Sequence, residues 1–153
     1  MMTLTLPKDF REFIQFLNAR EVKYLLIGGY AVAYHGHPRF TGDVDFLLEA
    51  SVKNASRTCA AIDDFGLSSF GLKPSDFLEV GTVVQLGRPP RRIDLLTGVD
   101  GIDFSSAYAA RVEALLDGLS VPMLSKHHLI LSKRAAGRLK DRDDLLYLES
   151  DRD

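Results

Sequence analysis

The sequence predicts an α+β fold: a single domain in which one mixed β-sheet of about five or six strands is flanked by helices. Three observations carry this. Apolar residues switch repeatedly between helical spacing and short strand-like runs. Asp117-Gly118 separates two such runs and is a strong hairpin-turn signal. A length of 153 residues, 46% hydrophobic and 26% charged, suits one globular domain with one core.

Residues 7–20 open on Pro7, a good first helical residue, and place Phe10, Phe13, Ile14 and Leu17 on one face. Residues 22–27 form an apolar run that stops at Gly28-Gly29 and read as a buried strand. A short helix is expected over 30–34, broken at Gly36 and Pro38, and then a strand over 44–48. Residues 52–65 set Ala55, Cys59 and Ile62 at helical spacing, whereas 66–79 read as loop with some helix. Strands are expected over 81–86 and 92–96, joined by Gly87-Arg88-Pro89-Pro90, and over 111–116 and 119–123 around the hairpin turn. Asp103 is placed to cap a helix starting near Phe104. Helices over 125–136 and 142–149 complete the chain, so the core is about 22–123 and a helical segment covers about 125–149.

The net charge of −2 gives no global attraction to nucleic acid or to an anionic membrane, so anion binding requires a local basic cluster. The single cysteine, Cys59, cannot form an internal disulfide and is expected in the core. No signal-like start and no apolar run near the roughly 20 residues of a membrane span is found, so a soluble, cytoplasmic protein with no membrane partner is expected.

Asp43 and Asp45 stand two apart in a segment with strand character. Residues i and i+2 of a strand share a face, so two carboxylates lie side by side while Val44 and Phe46 turn to the core. Crowded carboxylates repel, and a divalent cation is the natural remedy. Hard oxygen donors suit Mg²⁺ or Mn²⁺. Asp94 likewise interrupts an apolar strand, between Ile93 and Leu95, where an unpaired buried acid costs several kcal/mol on the order-of-magnitude scale. From the acids alone, a strand cap, an arginine partner and a solvent-facing acid explain these residues equally well. Leu25-Leu26-Ile27-Gly28-Gly29 adds a strand running into backbone that a ligand can approach closely.

The Leu-Ile-Gly-Gly run, the short helix after it and Arg39-Phe40-Thr41-Gly42-Asp43-Val44-Asp45 resemble the DNA polymerase beta-like nucleotidyltransferase superfamily. The similarity spans about residues 22–148 and is strongest to small bacterial members, AbiE-type toxins and minimal nucleotidyltransferases. It implies a nucleotidyltransferase fold in which Asp43, Asp45 and Asp94 are catalytic and hold Mg²⁺ or Mn²⁺. It further implies that Gly28 and Gly29 contact an NTP, whose NMP passes to an RNA (such as tRNA) or protein hydroxyl. A toxin–antitoxin or defence role with a partner protein is implied as well. Relatives carry Ser or Thr directly after the first or second glycine; here Gly29 and Tyr30 hold those places, and Thr41 is the nearby hydroxyl.

Arg39, just before the acid pair, is assigned to the nucleotide phosphates, since a guanidinium bonds two oxygens at once. Arg88, Arg91 and Arg92 crowd the start of the Asp94 strand. Toward the carboxyl terminus, Lys133, Arg138, Lys140, Asp141 and Asp144 resemble a family pattern in which Lys133, Arg138 and Asp141 serve the nucleotide. His35, His37, His127 and His128 lack the tight paired spacing of zinc sites; His35 is expected to line the pocket or cap the short helix. Two rival functions remain: a non-catalytic nucleotide-binding antitoxin or sensor with the same fold, and a metal-dependent phosphohydrolase or nuclease.

Overall fold

A computed structural model describes residues 5–37, 41–88 and 90–150. Helix α1 (Lys8–Ala19) leads into β1 (Tyr24–Ile27), α2 (Gly28–Tyr34), β2 (Val44–Leu48) and α3 (Val52–Asp64). Two short 3-10 turns, Ser68–Phe70 and Pro74–Phe77, fill the expected loop before β3 (Val83–Arg88) and β4 (Arg91–Leu96). Then come α4 (Phe104–Ala109), β5 (Val112–Leu116), β6 (Leu119–Met123), α5 (Lys126–Ala136) and α6 (Leu139–Leu148).

The strands make one six-stranded mixed sheet in the order β3-β4-β2-β1-β6-β5. β2 lies antiparallel to β1 and parallel to β4, and its register sets Asp45 beside Ile27 on one side and Asp94 on the other. Alternation then does the sorting: Val44 and Phe46 are fully buried, and the odd-numbered acids face the other way. On the buried face Phe13 of α1 packs against Phe46 with ring centroids 5.7 Å apart. Phe65, just past α3, packs edge-on against Phe13 at 5.2 Å. Each such ring contributes about 1.5–3 kcal/mol of burial. Asn54, held by the Ser51-capped start of α3, accepts from the Lys23 amide and donates to the Lys23 and Glu49 carbonyls, fixing the helix to both strand ends.

Several boundaries differ from expectation, among them β3, which runs two residues later than 81–86. Both glycines belong to α2 rather than preceding it as a turn. β1 begins at Tyr24, after Glu21 has taken a left-handed conformation (φ 56°) that ends α1. α6 begins at Leu139, where the Asp141 carboxylate reaches back to accept from the Arg138 amide at 3.1 Å in place of the usual Ser/Thr cap. Asp103 caps α4 as expected, accepting from the Ser106 amide, and Cys59 lies in the core. Asp117 (φ 50°) and Gly118 (φ 81°) turn the β5–β6 hairpin. Among the described residues no helix is long and apolar enough to cross a membrane.

Candidate active-site cleft

The exposed side of β2 and β4 forms the floor of a cleft of about 610 Å³, to which Gly28, Gly29, Asp43, Asp45 and Asp94 contribute. Lys133 and Arg138, from α5 and the cap of α6, line it with Asp141. Residues spread from 28 to 141 in sequence are thus gathered at one place. Thr41 lies beside this wall rather than in the lining, and Arg39 lies outside the described residues.

The two glycines have a reason beyond ligand access. Gly28 is left-handed (φ 70°), and a Cβ there would fall on the Asp45 carboxylate. A Cβ on Gly29 would lie 2.5 Å from the Thr41 hydroxyl. Bare backbone at 28 is therefore what admits Asp45 to its position. At 29 the space of a side chain is taken by Thr41, whose hydroxyl donates to the Asp43 carbonyl at 3.1 Å.

Asp45 and Asp94 stand side by side in register. Burial, followed by the neighbouring Asp94 carboxyl and the charge of Asp43, pushes the Asp45 carboxyl up to about 7. The nearby Arg92 opposes the shift without cancelling it. Arg92 Nε donates to Asp94 Oδ1 at 2.7 Å, and its Nη2 reaches Asp94 Oδ2 at 3.1 Å and Asp43 Oδ2 at 3.0 Å. Arg92 is expected at the start of the Asp94 strand, but the sequence assigns it no role in the site. The signal that finds it is the one that found the acids: Arg92 and Asp94 are i and i+2 on one strand and share a face.

On the opposite wall Lys133 is almost fully buried, with Nζ 3.2 Å from both Asp141 Oδ1 and Asp144 Oδ2. Burial alone would raise the Asp141 carboxyl, but hydrogen bonds from Arg138 and Lys133 outweigh it and hold the group below the usual carboxylate range. Asp144 also pairs with His37 Nδ1 at 2.9 Å, and Tyr147 stacks on the His37 ring at 3.8 Å. These contacts bind α5 and α6 to the chain leaving α2. His35 does not line the cleft but caps the end of α2 as expected, its amide donating to the Ala31 carbonyl at 3.0 Å while its ring Nε2 donates to the Leu124 carbonyl at 2.8 Å.

Among the described residues, one His/Asp/Asp group brings single ligand atoms within 4.8 Å of one another: His37, Asp143 and Asp144. Asp144 there is already shared between Lys133 and His37, which makes the cluster an ion-pair network. Asp43, Asp45 and Asp94 are held apart differently, with a guanidinium between Asp43 and Asp94. Their donor chemistry suits a hard divalent cation.

No protein-family model matches the chain. No curated protein matches it either. Solved structures do. A lincosamide antibiotic adenylyltransferase, LnuA, solved with lincomycin bound, aligns over 95% of this chain and 98% of its own, at 17% identity and a TM-score of 0.61. A candidate nucleotidyltransferase from Thermotoga maritima aligns over 94% of both chains at 14% identity and a TM-score of 0.64. The antibiotic-resistance factor ANT(2'')-Ia aligns over 92% of this chain and 80% of its own at 13% identity and a TM-score of 0.57. The near end-to-end superposition on these structures shows that the chain has the nucleotidyltransferase fold.

Proposed function

We propose that the protein is a divalent-metal-dependent nucleotidyltransferase that moves NMP from an NTP to an acceptor hydroxyl. The observation that carries this is the convergence of Asp43, Asp45 and Asp94 on the cleft floor, opposite Lys133 and Arg138. Carboxylates on one wall and cations on the other suit a metal-neutralised polyphosphate.

In this reading Asp43, Asp45 and Asp94 hold Mg²⁺ or Mn²⁺, which when bound supplies charge neutralisation at the phosphates and a more acidic acceptor hydroxyl. Asp94 receives the proton of that hydroxyl. The acceptor oxygen bonds to the α-phosphorus, the bond to the bridging oxygen of pyrophosphate breaks, and Lys133 and Arg138 steady the departing negative charge. Bare backbone at Gly28 leaves room for the Asp45 carboxylate, and at Gly29 for the Thr41 hydroxyl. The acceptor is the open part. RNA or protein, as in a toxin–antitoxin pair, follows from the sequence resemblance. A small hydroxylated molecule follows from the near end-to-end likeness to LnuA, which was solved with lincomycin.

A second reading, a nucleotide sensor or antitoxin without turnover, is favoured by one observation: Arg92 already satisfies Asp43 and Asp94. Incubation with each α-labelled NTP and Mg²⁺ separates them, using tRNA, cell extract and a panel including lincomycin as acceptors. Label transfer that disappears in Asp43→Ala is expected. NTP binding with no transfer to any acceptor would select the sensor, and nucleotide release without a labelled acceptor would select a phosphohydrolase.

A further inference from the structure

Arg92 holds a place that the proposed chemistry needs for something else. Its guanidinium engages both oxygens of Asp94 and the nearer oxygen of Asp43, with all three contacts between 2.7 and 3.1 Å. Charge-assisted, forked bonds of this kind are among the stronger polar contacts a protein makes. Asp45, the remaining acid, stands beside Asp94 in register and is pressed against bare backbone at Gly28. Asp43 and Asp94 are therefore already committed within the chain.

We infer that Arg92 is a displaceable internal counter-ion: it occupies the position between Asp43 and Asp94 in the metal-free protein, and a divalent cation binds these acids by driving it out. The inference rests on the proposed metal role of the three acids. A divalent cation at these acids competes with the guanidinium for the same carboxylate lone pairs, and the two cations repel more strongly the closer they stand. The guanidinium also has somewhere to go. The Arg92 side chain is 24% exposed and lines the cleft, so a displaced fork stays inside it. There, phosphate oxygens offer the same bidentate geometry that the carboxylates gave up. Metal and polyphosphate thereby help each other: the first releases the arginine, and the second receives it.

This places a cost on metal binding that removal of the guanidinium abolishes, opposite to the result expected if Arg92 merely builds the site. The test is titration of the full chain with Mn²⁺ alone, read as the loss of the free-ion electron paramagnetic resonance signal. Wild type, Arg92→Gln, Arg92→Lys and Asp45→Asn are compared. Arg92→Gln should bind Mn²⁺ about tenfold more tightly than wild type or better. Arg92→Lys, which keeps the charge and loses the fork, should fall between them. Equal or weaker binding in Arg92→Gln overturns the inference. Should that variant fail to fold, Arg92→Lys decides: binding no tighter than wild type overturns it. Asp45→Asn separates the two levels of the argument. If wild type binds and Asp45→Asn does not, the metal site stands and Arg92 alone is on trial. If wild type and every Arg92 variant leave Mn²⁺ free, the metal site and this inference fall together.

Discussion

Asp45 is the residue on which the site's electrostatics turn. Its folded-state value of about 7 lies above the roughly 3.9 of an unfolded aspartate. The folded protein therefore binds the extra proton between these limits. The stability this group contributes is fully present below about pH 4 and is lost as pH rises toward 7. In metal-free buffer, urea unfolding should give wild type a falling contribution from pH 4 to 7 that Asp45→Asn lacks; parallel curves would contradict the assignment. The three acids were legible in sequence because a period of two places charges visibly against an apolar strand. Arg92 obeys the same period, but its place as the first residue of the expected strand, beside Arg88 and Arg91, gave no sign that it pairs with the acids. Thr41 was legible as the hydroxyl nearest the glycines, but its close fit against Gly29 was not. It joins two elements whose approach is set by the packing of α2, not by local sequence.

At the level of elements, α6 is the instructive case. Leu139 and Leu146 are 80% and 74% exposed, whereas Asp141 and Asp144 are buried at 0% and 2%. An inverted helix of this kind defeats apolar periodicity, which is why its start was expected at residue 142 instead of Leu139. What draws the acidic face inward is Lys133, with Arg138 capping over Asp141. Removing one member of a buried ionic set leaves its partner uncompensated, at about 3–5 kcal/mol. Asp141→Ala should lower the urea midpoint by a corresponding amount, and loss of less than 1 kcal/mol, the surface-pair scale, would show that the network is peripheral. The helices of the amino-terminal half were read within a residue or two because Phe10, Phe13, Ile14 and Leu17 are all fully buried on one stripe of α1.

For the whole molecule, the sheet separates two tasks between its faces. Phe13, Phe46 and Phe65 build the core on one side, and the acids stand over the cleft on the other. Phe13→Ala should cost about 3–5 kcal/mol through the cavity it leaves. Below its lowered melting temperature the variant should bind Mn²⁺ as wild type does. A loss of Mn²⁺ binding in the still-folded variant would show that the two faces are not independent.

The pairing of Asp45 with Asp94 across parallel strands carries one more consequence. A slip of β2 by a single residue would set Val44 and Phe46 in water and bury Asp43 and Asp45 among phenylalanines. Misalignment thus destroys the hydrophobic interior at the same stroke as the ligand set. No partly correct state exists that is sound inside and blank at the cleft. Chains that survive folding have, by that fact alone, been screened for a correctly assembled site.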